Sequence, residues 1–156
     1  MKVEKLAIIV DTREQVPYLF TKFEDVVIIR DNLDCGDYSL VGSETEIMIE
    51  RKTLSDLTSS FTAGRERFED EWKRSEGYKI KFLIIEGRLN DVLFGNYRSQ
   101  MATTSLLASL VSWSIKYHFN WCFVEDEAQG QWVIYEILKQ YKRLKEDGLQ
   151  TTEALV

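Results

Sequence analysis

Short apolar runs alternate with longer amphipathic segments along this chain of 156 residues. Continuous apolar runs predict strands, the first of them buried on both faces, at residues 6–10, 25–30, 80–85 and 121–124. Apolar residues three and four positions apart predict helices at residues 65–75, 89–94, 103–119 and 128–145. This order of strands and helices predicts an α/β domain in which helices cover a mixed sheet.

A β-hairpin is predicted in the segment GDYSLVGSETEIMIERKTLSD at residues 36–56, where two alternating stretches flank turn-forming residues. Pairing that is symmetric about the turn places Tyr38 opposite Ile49 on an apolar face. The same register places Asp37 opposite Glu50 on the other face. Two carboxylates that face each other repel. A divalent cation, which prefers oxygen ligands, would reverse that repulsion.

Helix starts and apolar stripes are also predicted. Thr53 should cap the helix that follows the hairpin, because Asp56 stands at the third helical position. Thr103 or Thr104 should cap the helix at residues 103–119. The apolar stripe of that helix comprises Leu106, Leu107, Leu110, Val111, Ile115 and Phe119. The stripe of the final helix comprises Ile134, Ile137, Leu138, Tyr141 and Leu144.

The hairpin and the first strand carry motifs of a known family. GD, a spacer and ERK-x-x-x-D resemble the signature of the XPF-type nuclease domain of structure-specific DNA endonucleases. The matching residues are Gly36, Asp37, Glu50, Arg51, Lys52 and Asp56. The upstream IIVDTREQ resembles the family's Asp-x-Arg-Glu motif, with Asp11, Arg13 and Glu14. FTAGRERFEDE resembles, more weakly, a helix that supports the site. ERK-x-x-x-D alone would be a weak motif, but the ordered set is specific.

The resemblance implies a restriction-endonuclease-like fold, with a mixed central β-sheet flanked by helices, and metal-dependent hydrolysis of DNA. The implied metal is Mg²⁺ or Mn²⁺, and its implied ligands are Asp11, Asp37 and Glu50. The other implied catalytic residues are Arg13, Glu14 and Lys52, of which Lys52 would steer or polarise the attacking water. The residues expected near DNA phosphates are Arg51, Arg65 and Arg67. Strand alternation separates Arg51 from Glu50, which also favours a bracing role for Arg51 inside the sheet.

The resemblance further implies branched DNA substrates, such as flaps, forks or four-way junctions, and a homodimer formed through the last two helices. Many family members continue into Gly-x-Gly hairpin repeats, but no two glycines here stand two residues apart. We therefore expect a stand-alone nuclease domain at residues 1–147 and a mobile tail at residues 148–156. The expected compartment is the cytoplasm of a prokaryotic or virus-infected cell, or the nucleus in a eukaryote.

Composition changes this interpretation in two respects. The net charge of −6 is unusual for a DNA-binding domain and predicts weak, salt-sensitive binding. No apolar run approaches the ~20 residues of a membrane span, and no membrane partner is expected.

Two alternatives remain: a non-catalytic DNA-binding or dimerisation subunit, and an enzyme acting on small phosphate compounds. The second alternative calls for a Gly-rich loop after the first strand, and DTREQ is not one.

Overall fold

Six strands form a single sheet in the computed structural model, which describes residues 4–148. The strands are β1 Leu6–Asp11, β2 Val26–Asp31, β3 Tyr38–Leu40, β4 Ile47–Thr53, β5 Ile80–Glu86 and β6 Asn120–Val124. The helices are α1 Leu54–Phe61, α2 Arg65–Arg74, α3 Leu89–Leu93, α4 Thr103–Tyr117 and α5 Glu127–Glu146. Each strand and helix predicted from the sequence is therefore present. The predicted tail lies outside the described residues, apart from Gly148.

The sheet is mixed, as the sequence predicted. Its strand order is β2-β1-β3-β4-β5-β6, and β3 is antiparallel to both of its neighbours. The other neighbouring strands are parallel. Because β3 is antiparallel to β1 and β4, its first residue lies at the same end of the sheet as the last residues of those two strands. The motif residues lie together at this end.

The hairpin register agrees with the predicted one. Tyr38 pairs with Ile49 across β3 and β4, and the N–H of Asp37 donates a hydrogen bond to the Ile49 carbonyl at 2.8 Å. Gly36 precedes this pair with φ +81°, where a Cβ would lie 3.1 Å from the Ile49 carbonyl oxygen. A left-handed backbone this close to a neighbouring strand favours glycine. The Gly-Asp of the motif thus fixes the entry of the chain into β3.

Two hydrophobic cores lie on opposite faces of the sheet. Ile47 and Ile49 of β4 belong to the core that α5 covers. Met48, between them, belongs to the core that α1, α2 and α4 cover. Since side chains alternate along a strand, Glu50 follows Met48 onto the face of α1 and α2. The acidic residues of the hairpin therefore open toward these two helices.

The predicted stripe of α4 was partly wrong. The residues of α4 that are buried are Leu106, Leu110 and Trp113. Ile115 is 70% exposed and Val111 is 38% exposed. The helix is rotated because the Trp113 ring packs against Phe61 and Phe68, at centroid distances of 5.0 and 5.6 Å. Tertiary aromatic packing thus selects which side of an apolar helix turns inward.

Helix caps were predicted with mixed success. Thr53 caps α1, because its hydroxyl accepts a hydrogen bond from the Asp56 N–H at 3.1 Å. The predicted cap of α4 was wrong, since Ala102 occupies the N-cap position and forms no side-chain hydrogen bond there. In α5, Leu144 is 37% exposed instead of core-facing, and Tyr135 is buried. None of the helices described between residues 4 and 148 is long and apolar enough to cross a bilayer.

Candidate active site

Three strands bring the predicted acids to one pocket of about 170 Å³ at this end of the strands, which we call the acid pocket. Asp11 ends β1, Asp37 immediately precedes β3, and Glu50 lies in β4. Backbone hydrogen bonds hold the three segments together, including one at 2.9 Å from the Asp11 N–H to the Asp37 carbonyl. The pocket lining comprises Asp11, Arg13, Glu14, Asp34, Cys35, Gly36, Asp37, Met48, Glu50, Arg67, Glu71 and Arg74. Sheet topology therefore unites motifs that are distant in sequence.

Asp37 and Glu50 form the electrostatic centre of this pocket. Burial raises the pKa of Glu50 well above its ordinary value, and the charge of Asp37 adds to that rise. Burial also raises the pKa of Asp37, although the backbone N–H of Arg51 opposes the rise with a 2.8 Å hydrogen bond to Oδ2. Neighbouring carboxylates that resist joint ionisation are stabilised by a cation between them. The pair is thus chemically suited to bind a cation.

Lys52 lies on the Glu50 side of β4, two residues further along the strand. Its ammonium is 3.6 Å from Glu50 Oε1 and 5.0 Å from the centre of the Phe68 ring. The Lys52 side chain is only 18% exposed. The predicted convergence of two acids and one amine is therefore present in the structure.

Asp11 and Arg13 form a separate structural pair at the rim. The Arg13 Nε donates to Asp11 Oδ2 at 2.9 Å, and the Leu33 N–H donates to Asp11 Oδ1 at 2.9 Å. Burial opposes ionisation of Asp11, but these hydrogen bonds outweigh it and lower its pKa. With both carboxylate oxygens engaged, Asp11 is placed to organise the loop after β1. Its predicted role as a metal ligand stays a prediction.

Glu14 lines the pocket and has one carboxylate oxygen without a partner within residues 4–148. Its Oε2 is buried and has no hydrogen-bond partner among the described residues. Burial raises the pKa of Glu14, while the charge of Arg51 partly counteracts this. A buried polar atom without a partner is costly unless something absent from the protein satisfies it. Glu14 therefore offers an oxygen to a bound water or cation.

Arg51 braces the sheet, as strand alternation predicted. Its Nε donates to Glu86 Oε1 at 2.7 Å, and its guanidinium lies 3.9 Å from the centre of the Tyr18 ring. The Tyr18 hydroxyl also donates to Glu86. The Arg51 side chain is only 10% exposed. The donors of the Arg51 guanidinium already bond to protein groups. The expected contact of Arg51 with DNA stays a prediction.

The two arginines predicted on α2 have different surroundings. Arg67 lines the acid pocket. Arg65 does not line it, since its guanidinium lies 4.9 Å from the Trp113 ring centre and donates to the Phe61 carbonyl at 3.3 Å. Both remain predictions as DNA contacts, although only Arg67 is near the acids.

Glu71 is one of two acidic residues at the site that the sequence did not single out, and the other is Asp34. Glu71 lies on α2, lines the pocket, and its charge adds to the rise in pKa of both Asp37 and Glu50. Arg67 precedes Glu71 by four residues, so both side chains share one face of α2. This spacing was visible in the sequence, but nothing local showed which face of α2 meets the hairpin.

The pocket fits a hard divalent cation. Among residues 4–148, no group of three or more His, Cys, Asp or Glu side chains is arranged to hold a metal ion. Mg²⁺ does not need three protein ligands, because it commonly binds through one or two carboxylates together with water and phosphate oxygens. Asp37 and Glu50 supply such carboxylates, and the unsatisfied Glu14 oxygen supports an outer ligand role. An open site of this kind leaves room for substrate.

The sheet order and the motif-bearing hairpin define the chain as an α/β domain of the XPF nuclease type. A profile of the ERCC4 domain matches residues 10–137, and the chain belongs to this domain family. The 3′-flap repair endonuclease Xpf of Saccharolobus solfataricus is 25% identical in an alignment of 119 residues. The alignment covers 74% of this chain and 48% of the relative, so the chain spans about half of the length of that relative.

Solved structures agree with this assignment. XPF from Aeropyrum pernix has a TM-score of 0.70 and 27% identity, over 86% of this chain and 61% of that one. The same protein in complex with DNA has a TM-score of 0.69 and 27% identity, over 89% of this chain and 66% of that one. These similarities confirm the predicted restriction-endonuclease-like arrangement, a mixed sheet with flanking helices.

Proposed function

We propose that this chain is a metal-dependent DNA endonuclease that hydrolyses phosphodiester bonds. The observation that carries the proposal is the pocket in which Asp37 and Glu50 meet beside Lys52, within a domain of the ERCC4 family. Carboxylates suited to a cation, next to a fixed amine, match the needs of phosphodiester hydrolysis. The alternative of a non-catalytic subunit gives no role to two acids and an amine that lie together in this way.

We propose that Asp37 and Glu50 hold Mg²⁺ or Mn²⁺, with Asp11 and Glu14 supporting them. When bound, the ion supplies a water of lowered pKa and stabilises charge on the scissile phosphate. The backbone N–H of Arg51 holds Asp37 in place at 2.8 Å. Asp11 in turn holds Arg13 and the Leu33 N–H at the rim. These contacts preorganise the site before substrate binds.

Lys52 has the position of a substrate-facing cation. Its ammonium, 3.6 Å from Glu50 Oε1, is held by that carboxylate and by packing over Phe68. From there it can donate hydrogen bonds to the attacking water or to a phosphate oxygen. Partial burial strengthens this interaction because screening by solvent is reduced. Lys52 therefore orients the nucleophile and offsets phosphate charge.

We propose branched DNA as the substrate class. The relative from Saccharolobus solfataricus is described as a 3′-flap repair endonuclease, and the Aeropyrum pernix protein has been solved with DNA. The net charge of −6 limits non-specific affinity for duplex DNA. A bound divalent ion would reduce that charge at the site itself.

A homodimer through the last two helices is part of this proposal. The helices α4 and α5 cover opposite faces of the sheet and both flank the edge strand β6. Ile115 of α4 is 70% exposed. Trp132 of α5 is 55% exposed, but its ring packs against Phe23, just before β2, on the other side of α5. A dimer that uses both helices would have to wrap around this edge. Light scattering of the chain and of an Ile115→Glu variant tests the arrangement.

Cleavage of a labelled DNA panel tests the function. The panel contains single strands, duplex, flap, fork and four-way junction, each incubated with Mg²⁺, Mn²⁺ or EDTA. We expect divalent-ion-dependent cuts, faster on at least one branched substrate than on duplex. Binding without cuts under every metal condition would favour the non-catalytic alternative.

A further inference from the structure

A second groove, of about 340 Å³, adjoins the acid pocket on the side of α1 and α2. Its charged lining residues are Lys52, Arg67 and Glu71, and its hydroxyl groups come from Ser59 and Ser60. Arg67 and Glu71 also line the acid pocket, so the two depressions share a wall. A ligand that occupies both would pass directly over Arg67.

The two depressions differ in charge. The acid pocket is lined by six carboxylates and three guanidinium groups. The groove is lined by two cations and one carboxylate. The first therefore favours a cation, and the second favours an anion. A metal ion and a DNA strand need this pair of environments side by side, because the strand carries a negative charge at each phosphate.

Arg67 is available for an external anion. Within residues 4–148 its guanidinium forms no ion pair, and the nearby Glu69 pairs instead with Lys73 and Lys116. Arg65, by contrast, packs against Trp113. Arg67 also stands on the same face of α2 as Glu71, at the boundary between groove and acid pocket. A planar guanidinium that is free to pair is well matched to a phosphate.

We propose that the groove binds the DNA phosphate that neighbours the scissile phosphate, with Arg67 as its principal ligand. The Ser59 and Ser60 hydroxyls line the same groove, and Lys52 lies between this phosphate and the acids. The subsite rests on the proposed endonuclease function. Phosphate contacts of this kind set register without reading sequence. The groove thereby fixes which bond of the strand reaches the acids.

A methylphosphonate scan tests this subsite. In the best substrate of the DNA panel, one phosphate at a time is replaced by a neutral methylphosphonate on either side of the cut. Cleavage is measured for wild type, Arg67→Gln, Arg67→Lys and Lys73→Gln. Lys73 is the matched control, because it is exposed on the same helix and lines neither depression. Thermal unfolding of each variant confirms that the fold is retained.

For wild type, we expect one neighbouring methylphosphonate to slow cleavage about 10- to 100-fold, the range for losing a hydrogen bond to a charged group. Arg67→Gln should cleave the all-phosphate strand slowly, and the methylphosphonate at that position should slow this variant little further. Such non-additivity is what a double-mutant cycle detects between two interacting groups. Arg67→Lys should recover part of the penalty, and Lys73→Gln should match wild type.

Two results would overturn the subsite alone. One is a wild-type enzyme that cuts DNA but shows no penalty at any neighbouring phosphate. The other is an Arg67→Gln variant whose penalty profile equals that of wild type. Failure of wild type to cut any DNA under any metal condition is a different result, because it overturns the proposed function and the subsite together.

Discussion

The backbone N–H of Arg51 donates a 2.8 Å hydrogen bond to Oδ2 of Asp37. Arg51 directly follows Glu50 in β4, so this bond links the strand that carries one acid to the side chain of the other. The Asp37 N–H is in turn bonded to the Ile49 carbonyl. The position of the Asp37 carboxylate relative to β4 is therefore set by hydrogen bonds from the hairpin backbone.

Neutralising either central acid should abolish cleavage and leave the fold intact. For Glu50→Gln and Asp37→Asn, we expect a loss of at least about 100-fold in cleavage rate, comparable with removal of a major electrostatic group at an active site. Asp70→Asn is the matched control, because Asp70 is exposed on α2 and lines neither depression. Wild-type rates for a pure Glu50→Gln sample would refute the assignment of the site.

Without metal, the stability of the protein should fall as pH rises from about 4 to about 7. The folded-state pKa of Asp37 is raised to about 7 and that of Glu50 is also raised, both chiefly by burial. The folded state therefore holds protons that the unfolded state releases near pH 4. Urea unfolding in EDTA should show this decline, and Asp37→Asn should flatten it by at least about 1 kcal/mol. A slope unchanged in that variant would contradict the prediction.

Divalent ions should reverse this loss of stability. Binding to the folded state alone at ten times the dissociation constant adds about 1.4 kcal/mol, or about 3–6 °C in melting temperature for a chain of this size. The shift should grow with pH, because the ion competes with protons for Asp37 and Glu50. Thermal melts in Mg²⁺, Mn²⁺ and EDTA measure it. An equal shift in the Glu50→Gln variant would place the ion elsewhere.

Removing the Arg51 brace should destabilise the domain. Arg51→Ala leaves Glu86 and the Tyr18 ring without the guanidinium that contacts both. Breaking a largely buried ion pair on one side costs about 3 kcal/mol, and Arg51→Lys should recover only part of this because it lacks the planar fork. The control is Arg88→Ala, which breaks an exposed 3.8 Å pair with Glu125 and should cost below about 1 kcal/mol. Chemical denaturation compares the three variants.

The hairpin could be predicted from sequence because its information is local. Alternation and a turn fix the register of Tyr38 and Ile49, and this register places Asp37 next to Glu50. The bracing position of Arg51 followed from the same alternation. The spacing of residues along a strand determines which of them share a face of the sheet. The positions of Asp37, Glu50 and Arg51 could therefore be predicted without knowledge of distant contacts.

The core-facing side of each helix was harder to predict, because apolar residues occupy more than one side of the helix. In α4, the sequence favoured Ile115 for the core, but packing against Phe61 and Phe68 selects Trp113. The same limit hid Glu71, whose role depends on how α2 lies across the hairpin. The sequence thus predicted the acids carried by the strands, and tertiary packing decided what the helices add to them.

The two sides of the acid pocket differ in how firmly they are held. Glu50 belongs to β4, an interior strand that is hydrogen-bonded to β3 on one side and to β5 on the other. Amide protons there should exchange with solvent only when the whole domain opens. Arg67 and Glu71 stand on α2, which rests against the sheet through side chains such as Phe68 and Trp72. We therefore expect α2 to move when a DNA strand binds, while the carboxylates carried by the sheet keep their positions.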